Sequence, residues 1–203
     1  MIYRIFTDGG AFKKTDTLFR SVSAYRLYKE YTIIHGDVEL HEDKTNNYAE
    51  IYAIAKGLRL FLDYIQESGD EDYKVELYSD SLLCVNSLTK WIFKWVKGAK
   101  NGVFYNSNGV EVANQELIKE AFKYIVKLKG KIKIYHINSH QPTTKLQEMY
   151  KKFKKFNKCD MAYDDFVFAY YKNKECDEAI QLYYKEYMEK QTKSTLQEGE
   201  SNN

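Results

Sequence analysis

Two aspartates stand at places in the chain that suit a catalytic carboxylate. Asp8 follows an alternating apolar stretch and precedes Gly9 and Gly10, where the missing Cβ lets the backbone pass close to a ligand. Asp80 repeats the arrangement, because a predicted strand runs straight into it and a helix follows. If the two strands lie side by side and parallel, both carboxylates emerge at one sheet edge, where open α/β sheets bind ligands. The structural alternatives are a turn at Asp8 and a helix cap at Asp80.

Glu50 is a third acidic candidate, in the first turns of a predicted helix. It is the one acidic residue between Asn46 and Leu62, and it lies one turn before Ile54, on the flank of the apolar stripe. The alternative is a glutamate that complements the helix dipole. Carboxylates gathered without a cation would repel one another, whereas hard cations such as Mg²⁺ bind carboxylate oxygens. A metal site is therefore favoured if the fold brings the three together.

The strands at the start of the chain follow from the hydrophobic periodicity. Alternating apolar and polar residues predict strands at 2–7, 22–28 and 31–40. Two glycines at 9–10 and the polar stretch at 13–17 are expected to turn the first strand into the second, and the link at 29–30 is short enough for a hairpin. These three strands therefore form an antiparallel meander.

Helical periodicity begins after the meander. Apolar residues at three-and-four spacing predict a helix over 45–68, which Thr45 or Asn46 can cap. The remaining predicted elements are strands at 73–79 and 131–137, and helices at 81–88 and 114–128. This order predicts an α/β protein of three layers, with a five-stranded mixed sheet and helices packed on both faces.

The length of 203 residues suits one domain of ordinary size. We expect a domain over 1–189 with a basic insertion at 142–172, followed by a polar, disordered tail at 190–203. The net charge of +2 arises from 31 basic and 29 acidic side chains. Any affinity for nucleic acid must therefore come from the distribution of charge and not from its total.

The start of the chain and the cysteines predict a soluble, cytoplasmic protein. The first residues lack the basic segment and apolar run of a signal peptide, and no stretch approaches the ~20 apolar residues of a membrane span. The three cysteines show no paired spacing, so neither a disulfide framework nor a zinc site is expected. We expect a monomer that contacts no membrane and needs no small-molecule cofactor.

Five segments along the chain together resemble the type 1 ribonuclease H family. They are IFTDGGAF, TNNYAEIYAI, LYSDS, TKWIFKW and NKECDEA, and they occur in the family's order and approximate spacing. The resemblance runs from about residue 2 to residue 181. It implies the ribonuclease H-like fold, in agreement with the elements predicted above.

Position by position, the resemblance implies that four carboxylates are catalytic metal ligands: Asp8, Glu50, Asp80 and Asp177. It also implies that His140, which follows the last strand, assists proton transfer or product release at physiological pH. Two Mg²⁺ ions ~3.5–4 Å apart, with Mn²⁺ as a substitute, would activate water and stabilise the leaving oxygen.

The fourth carboxylate has a competitor. Residues 157–160 read Asn-Lys-Cys-Asp and also resemble the final family motif, so Asp160 is an alternative ligand. Asp177 is preferred because Cys176 directly precedes it and Glu178 is expected to open a final helix, as in the family pattern. A motif of this kind is a hypothesis for the fold to test.

The residues at the start of the long helix are candidates for substrate recognition. By resemblance, Asn46 and Asn47 reach RNA 2′-hydroxyls or base edges, and Thr45 helps to hold a DNA phosphate. Contact with the 2′-hydroxyl is how a protein distinguishes RNA from DNA. The alternative is that these residues only cap the helix.

Trp91 and Trp95 lie four residues apart, so they share one face of a helix, with Lys94 and Lys97 nearby. The segment resembles the family's basic protrusion, which contacts the DNA strand, and this implies a role for all four in substrate binding. Packing of the tryptophans in the core is the alternative.

The insertion contains a run at 151–156 in which four lysines alternate with phenylalanines. One explanation is a solvated face of an amphipathic helix. The other is an element that holds a nucleic-acid backbone, since lysines interleaved with aromatic residues suit phosphate contact and stacking.

The resemblance implies an endoribonuclease that hydrolyses the RNA strand of RNA/DNA hybrids and leaves 3′-hydroxyl and 5′-phosphate ends. The RNA/DNA hybrid is the expected partner, and Mg²⁺ the expected cofactor. Two alternatives share the fold: another nuclease, such as a junction resolvase-like enzyme, and a non-catalytic nucleic-acid-binding module.

Overall fold

A mixed sheet forms the centre of the protein. The computed structural model describes residues 1–13, 19–138 and 141–200, and within them five strands pair into one sheet. The strands are β1 (Ile2–Lys13), β2 (Phe19–Lys29), β3 (Thr32–Glu42), β4 (Lys74–Ser79) and β5 (Ile132–His136). Their order is β3-β2-β1-β4-β5, with the first three antiparallel and β4 and β5 parallel to β1. The predicted meander and five-stranded sheet are confirmed.

The first strand is longer than predicted, and the turn expected at Gly9 and Gly10 is wrong, whereas residues 14–17 of the polar stretch lie outside the described residues. β1 stays paired with β2 through both glycines, whereas its pairing with β4 ends at Thr7 opposite Ser79. Glycine weakens a strand but does not end it, because the pairing with β2 still satisfies the backbone groups. Asp8 is therefore the first residue of β1 beyond β4, and it lies within a strand, not at its end.

The helices lie on both faces of the sheet. They are α1 (Asn46–Ser68), α2 (Leu82–Asn86), α3 (Ile92–Gly98), α4 (Gln115–Lys127), α5 (Leu146–Asn157) and α6 (Tyr163–Glu200). A π-helical turn (Ser87–Trp91) joins α2 to α3, and a 3₁₀ turn (Thr143–Lys145) precedes α5. The predicted three-layer α/β architecture is confirmed.

Alternate residues of the central strands supply two separate cores. Ile5 and Leu77 are fully buried in the cluster beneath α1 and α4, whereas Phe6 and Tyr78 are fully buried in the cluster beneath α5 and α6. Successive strand residues point to opposite faces, so neighbours in sequence reach different cores. Apolar residues at both positions therefore explain why helices cover both faces of β1 and β4.

The long first helix begins and ends as its sequence predicts. The Oγ1 of Thr45 accepts a hydrogen bond from the Tyr48 backbone N–H, so Thr45 and not Asn46 caps α1. Gly69 ends the helix with φ of 69°, a left-handed conformation that glycine adopts without strain. The predicted boundaries of this element are confirmed.

The final helix begins well before the predicted start at Glu178, which is wrong. α6 starts at Tyr163 and buries residues at helical spacing against the sheet: Phe166, Ala169, Tyr170, Asn173, Cys176 and Ile180. This stripe determines the helix, since packing of one apolar face stabilises it along its length. Asp177 consequently lies in the middle of α6.

The basic insertion predicted at 142–172 forms the 3₁₀ turn, α5 and the first turns of α6. Asn157 at the end of α5 covers the free edge of β5: its Oδ1 accepts from the His136 N–H, and its Nδ2 donates to the His136 carbonyl, both at 2.9 Å. Covering an edge strand in this way removes unpaired backbone groups. Within the part of the chain that the structure describes, no helix has the length and apolar character to cross a membrane.

Domain boundaries stay predictions. Helix α6 continues to Glu200 and so covers most of the region 190–203 for which a tail was predicted. In its second half, the Tyr184 ring stacks on Phe12 with centroids 3.7 Å apart, and the guanidinium carbon of Arg20 lies 4.6 Å from the ring centroid of Tyr187. These contacts hold α6 against β1 and β2 well beyond the acidic residues.

Candidate active site

Three acidic side chains from three elements meet at one edge of the sheet. Asp8 comes from β1, Glu50 from the first turns of α1, and Asp80 from the residue after β4. One carboxylate oxygen from each lies within 4.8 Å of those of the other two. The juxtaposition expected from parallel pairing of the two strands is present, with Glu50 added from the helix.

Gly9 lets α1 approach Asp8. A Cβ at Gly9 would lie 2.4 Å from the Glu50 backbone nitrogen and 2.8 Å from the Ala49 carbonyl carbon, so the first turns of α1 pack directly on the glycine backbone. This close approach places Glu50 beside Asp8. The role of the glycine pair is therefore close packing, in place of the turn that was expected.

Asp80 is not the cap of the helix that follows it. Ser81 occupies that position, and its side chain accepts a hydrogen bond from the Cys84 backbone N–H. The structural alternative for Asp80 is therefore wrong. Its carboxylate belongs to the group formed with Asp8 and Glu50.

Burial makes the acidic group unfavourable without a cation. Asp8 is 3% exposed, and desolvation, together with the charge of Asp80, raises its pKa to about 9, although the Gly9 N–H donates to its Oδ1 at 2.7 Å. Desolvation and the charges of Asp8 and Asp80 also raise the pKa of Glu50. A cation would offset both the desolvation and the repulsion.

The donor set fits a hard divalent cation. The three residues supply oxygen ligands, which Mg²⁺, Mn²⁺ and Ca²⁺ prefer to nitrogen or sulfur. Moreover, Oε2 of Glu50 is buried and accepts no hydrogen bond from any residue that the structure describes. A buried carboxylate oxygen without a donor is costly, and a metal ion would compensate it.

The two candidates for the fourth carboxylate differ sharply in position. The charge of Asp177 raises the pKa of Asp8, so Asp177 lies near the acidic group although outside its three-residue core. Asp160 has a side chain that is 97% exposed, and it forms an ion pair with Lys154 at 2.6 Å. The geometry therefore favours Asp177.

Two polar contacts in the turn before Asp177 hold α6 against the sheet. The buried Asn173 donates from Nδ2 to the Thr7 carbonyl at 3.4 Å, directly before Asp8 in β1. Glu175 accepts from Arg26 on β2 at 2.7 Å. These contacts orient the face of α6 that carries Asp177 towards Thr7 and Asp8 in β1.

Several residues predicted to bind substrate line one cavity next to the acidic group. This cavity of about 650 Å³ lies between the start of α1, the π-helical turn, α3 and the loop before α4, and its lining includes Asn47, Trp91, Lys94 and Trp95. Lys97 is exposed outside this lining. Of the two other predicted residues, Thr45 caps α1, and Asn46 lies near enough to Glu50 to lower the pKa of that carboxyl, against the larger opposite effect of burial.

The two tryptophans have different surroundings. Their ring centroids lie 6.0 Å apart, and Trp95 packs against the core and near Phe104. Trp91 is 39% exposed. The packing alternative therefore applies to Trp95 in part, whereas Trp91 presents an accessible ring.

His140, predicted to assist the reaction, lies outside the described residues. A different histidine, His136, contacts the site, with its Nε2 3.0 Å from the Asp80 carbonyl oxygen. No motif in the sequence singles out this residue. Parallel pairing of β5 with β4, which places His136 opposite Ser79, would have revealed its position.

Replacing Gly9 with alanine should displace α1. We expect Gly9→Ala to lower the free energy of unfolding by about 1–3 kcal/mol, because the added Cβ must push helix backbone away. Gly98→Ala is the matched control, since a Cβ there meets no atom within 4 Å. Denaturant unfolding of both variants tests this, and equal stability of the two would contradict the close approach.

Comparison with known proteins yields matches to one family. A family model described as RNase H matches residues 2–154. Ribonuclease HI of Haemophilus ducreyi is 38% identical over 73 residues, which cover 36% of this chain and 40% of that protein. Ribonuclease HI of Haemophilus influenzae is 31% identical over 115 residues, covering 56% of this chain and 63% of the relative. The chain thus spans less than two thirds of either relative.

The solution structure of the PFV RNase H domain has a similar fold. It matches with a TM-score of 0.52 at 22% identity, covering 75% of this chain and 90% of that domain. At this level of identity the likeness concerns the fold alone.

Proposed function

Because the chain belongs to the type 1 ribonuclease H family, we propose that it hydrolyses the RNA strand of RNA/DNA hybrids as a metal-dependent endonuclease. The observation that carries the proposal is the group formed by Asp8, Glu50 and Asp80, whose carboxylate oxygens approach within 4.8 Å. A fold can be shared by proteins of different function, so the site and not the fold supports the activity.

The carboxylates would hold two Mg²⁺ ions, for which Mn²⁺ can substitute. When bound, such ions supply activation of the attacking water and stabilisation of the leaving oxygen. Asp8, Glu50 and Asp80 provide ligand oxygens, and Asp177 is the fourth. The Gly9 N–H holds Asp8 Oδ1 at 2.7 Å and so fixes the orientation of that carboxylate.

The reaction is an in-line displacement at phosphorus. The oxygen of water forms the new P–O bond, the bond from phosphorus to the 3′-oxygen breaks, and the products carry 3′-hydroxyl and 5′-phosphate ends. His140 delivers or removes a proton in this step or aids product release, which an imidazole can do near neutral pH. No covalent intermediate with the protein is needed.

Recognition of the hybrid uses the surfaces on either side of the acidic group. Asn46 and Asn47 contact RNA 2′-hydroxyls or base edges, and Thr45 a DNA phosphate. Trp91, with Lys94 and Trp95, borders the cavity of about 650 Å³ and contacts the DNA strand together with Lys97. Asn46 opens α1 one helical turn before Glu50, so the residue proposed to select RNA adjoins the acidic group.

The remaining expectations belong to the same proposal. The protein acts as a monomer in the cytoplasm, and it requires divalent metal but no small-molecule cofactor.

A substrate panel tests the proposed function. RNA/DNA hybrid, duplex DNA, duplex RNA and a four-way junction are offered at identical salt and Mg²⁺, and we expect cleavage of the RNA in the hybrid alone. Preferred cleavage of the junction would indicate the resolvase-like alternative. Binding of the hybrid without cleavage of any substrate would indicate the non-catalytic module.

A further inference from the structure

A basic surface borders the acidic group on the side of β5, away from the tryptophan cavity. We name it the α5 patch and define it by five residues: Lys90, His136, Lys145, Lys152 and Phe156. Lys145 and Lys152 come from the insertion that precedes α6, His136 ends β5, and Lys90 lies in the π-helical turn. The family resemblance assigns none of these residues a role.

The α5 patch is continuous with the acidic group. The Nε2 of His136 lies 3.0 Å from the Asp80 carbonyl oxygen, and the His136 ring lies 5.2 Å from the ring of Phe156 at the end of α5. The Nζ of Lys90 lies 5.7 Å from the centroid of the same phenylalanine ring. Lys90 also adjoins Trp91, so the patch meets the predicted DNA-binding segment as well.

A cavity of about 330 Å³ lies within the patch, with lysines at its rim and buried apolar side chains at its base. It is lined by four residues of the patch (His136, Lys145, Lys152 and Phe156), by polar Asn138 and Gln141, by acidic Glu148, and by buried Met149, Phe153 and Phe166. The buried base packs α5 and α6 on the sheet, so it is structural. The exposed lysines are not needed for that packing.

The charges of the α5 patch are available to an external anion. Within the described residues, no ion pair joins Lys90 or Lys145 to a carboxylate. Lys152 pairs with Glu148 at 2.6 Å, but their side chains are 74% and 57% exposed. An exposed pair of this kind contributes only about 0–1 kcal/mol, so a phosphate can replace the glutamate at little cost.

Phe156 has a supporting role in this arrangement. It is 48% exposed, yet His136 and Lys90 both contact its ring. The ring therefore serves to hold Lys90 and the end of α5 beside β5, and is less suited to stacking on a nucleic-acid base. The groups of the α5 patch that can bind a ligand are therefore its lysines, which bind anions.

We propose that the α5 patch binds the phosphate backbone of the hybrid where it continues past the acidic group on the β5 side. This inference rests on the proposed function, because the hybrid must first lie at Asp8, Glu50 and Asp80. The sugar-phosphate backbone of a bound hybrid is a polyanion that would extend beyond the acidic group. Lysine side chains bind such a backbone as point charges. The insertion thus extends the length of hybrid that the protein contacts.

The test compares two double variants of equal charge. Lys145→Gln with Lys152→Gln removes two of the three patch lysines. Lys127→Gln with Lys129→Gln removes two exposed lysines that precede β5, at the end of this strand remote from His136. Hybrid binding is measured in chelator, so that no cleavage occurs, over a series of salt concentrations. Thermal unfolding confirms that both variants fold as the parent does.

We expect the patch variant to bind a long hybrid roughly tenfold more weakly at moderate salt and to lower the slope of log K against log salt by up to about 2, since each duplex phosphate contact contributes about 0.9. The control variant should match the parent. A hybrid too short to extend past the acidic group should bind equally to all three. The double change to arginine, which retains the charge, should restore binding of the long hybrid.

Two outcomes would overturn the inference: binding by the patch variant equal to that of the control, or equal weakening on the long and the short hybrid. Failure of the proposed function gives a different signature. In that case the parent protein cleaves no hybrid in Mg²⁺, whatever the salt slopes show. The two ideas can therefore fail separately.

Discussion

Asp8→Asn should abolish cleavage of RNA/DNA hybrids, with a loss of at least about a thousandfold, because metal assistance contributes several kcal/mol to such a step and each tenfold in rate corresponds to about 1.4 kcal/mol. The asparagine keeps the size of the side chain and the hydrogen bond from the Gly9 N–H, but it removes the charge that a cation needs. Cleavage is measured on a labelled hybrid at saturating Mg²⁺.

Stability distinguishes this effect from misfolding. In chelator, Asp8→Asn should unfold at a higher temperature than the parent, because it removes an ionisable group from a buried site where other carboxylates repel it. Mg²⁺ should raise the unfolding temperature of the parent by binding its folded state, and do so less in the variant. Asp160→Asn makes the same chemical change at an exposed position and should behave as the parent. A fully active Asp8→Asn protein would refute the proposed function.

Asp177→Asn should reduce cleavage by about tenfold or more, whereas Asp160→Asn should leave it unchanged. The Asp177 carboxylate lies close enough for its charge to raise the pKa of Asp8. Loss of one metal ligand should weaken the assistance that the metal gives to cleavage and so reduce the rate by about tenfold or more. Asp160 is solvent-exposed and paired with Lys154. The effect at Asp177 is expected to be smaller than at Asp8 because Asp177 lies outside the three-carboxylate group.

The measurement is the cleavage rate over a series of Mg²⁺ concentrations. A role for Asp177 as a metal ligand predicts that high Mg²⁺ recovers part of the lost rate, which a change that merely disturbed α6 would not do. Should Asp160→Asn be the inactive variant and Asp177→Asn the active one, the fourth ligand would have to be reassigned to Asp160.

Local patterns predicted most of the fold. The alternation in the first forty residues and the helical spacing from Ile51 to Ile65 gave correct element types, since side-chain periodicity reflects which face is buried. The start of α6 was missed although its buried stripe has the same spacing. The final family motif predicts a helix that opens at Glu178. The buried stripe from Phe166 to Cys176 precedes this motif and belongs to the same helix.

The turn expected at Gly9 and Gly10 and the capping alternative for Asp80 are wrong for a common reason. Glycine pairs and Asp-Ser sequences are compatible with more than one local structure, and only their neighbours decide between them. Pairing with β2 keeps the glycines in β1, and Ser81 takes the capping position that Asp80 could have filled. A sequence pattern states what a residue can do locally, whereas packing selects one of the possibilities.

Local patterns and motifs in a fixed order suffice to predict most of the elements, the family and the acidic residues Asp8, Glu50 and Asp80. Only the packing of helices on the sheet brings Asp177 towards Asp8, exposes Asp160 to solvent and places His136 against Asp80. These depend on which helix face packs on which strand. Residues far apart in the chain carry no local signal of such a contact, so only the packed fold reveals it.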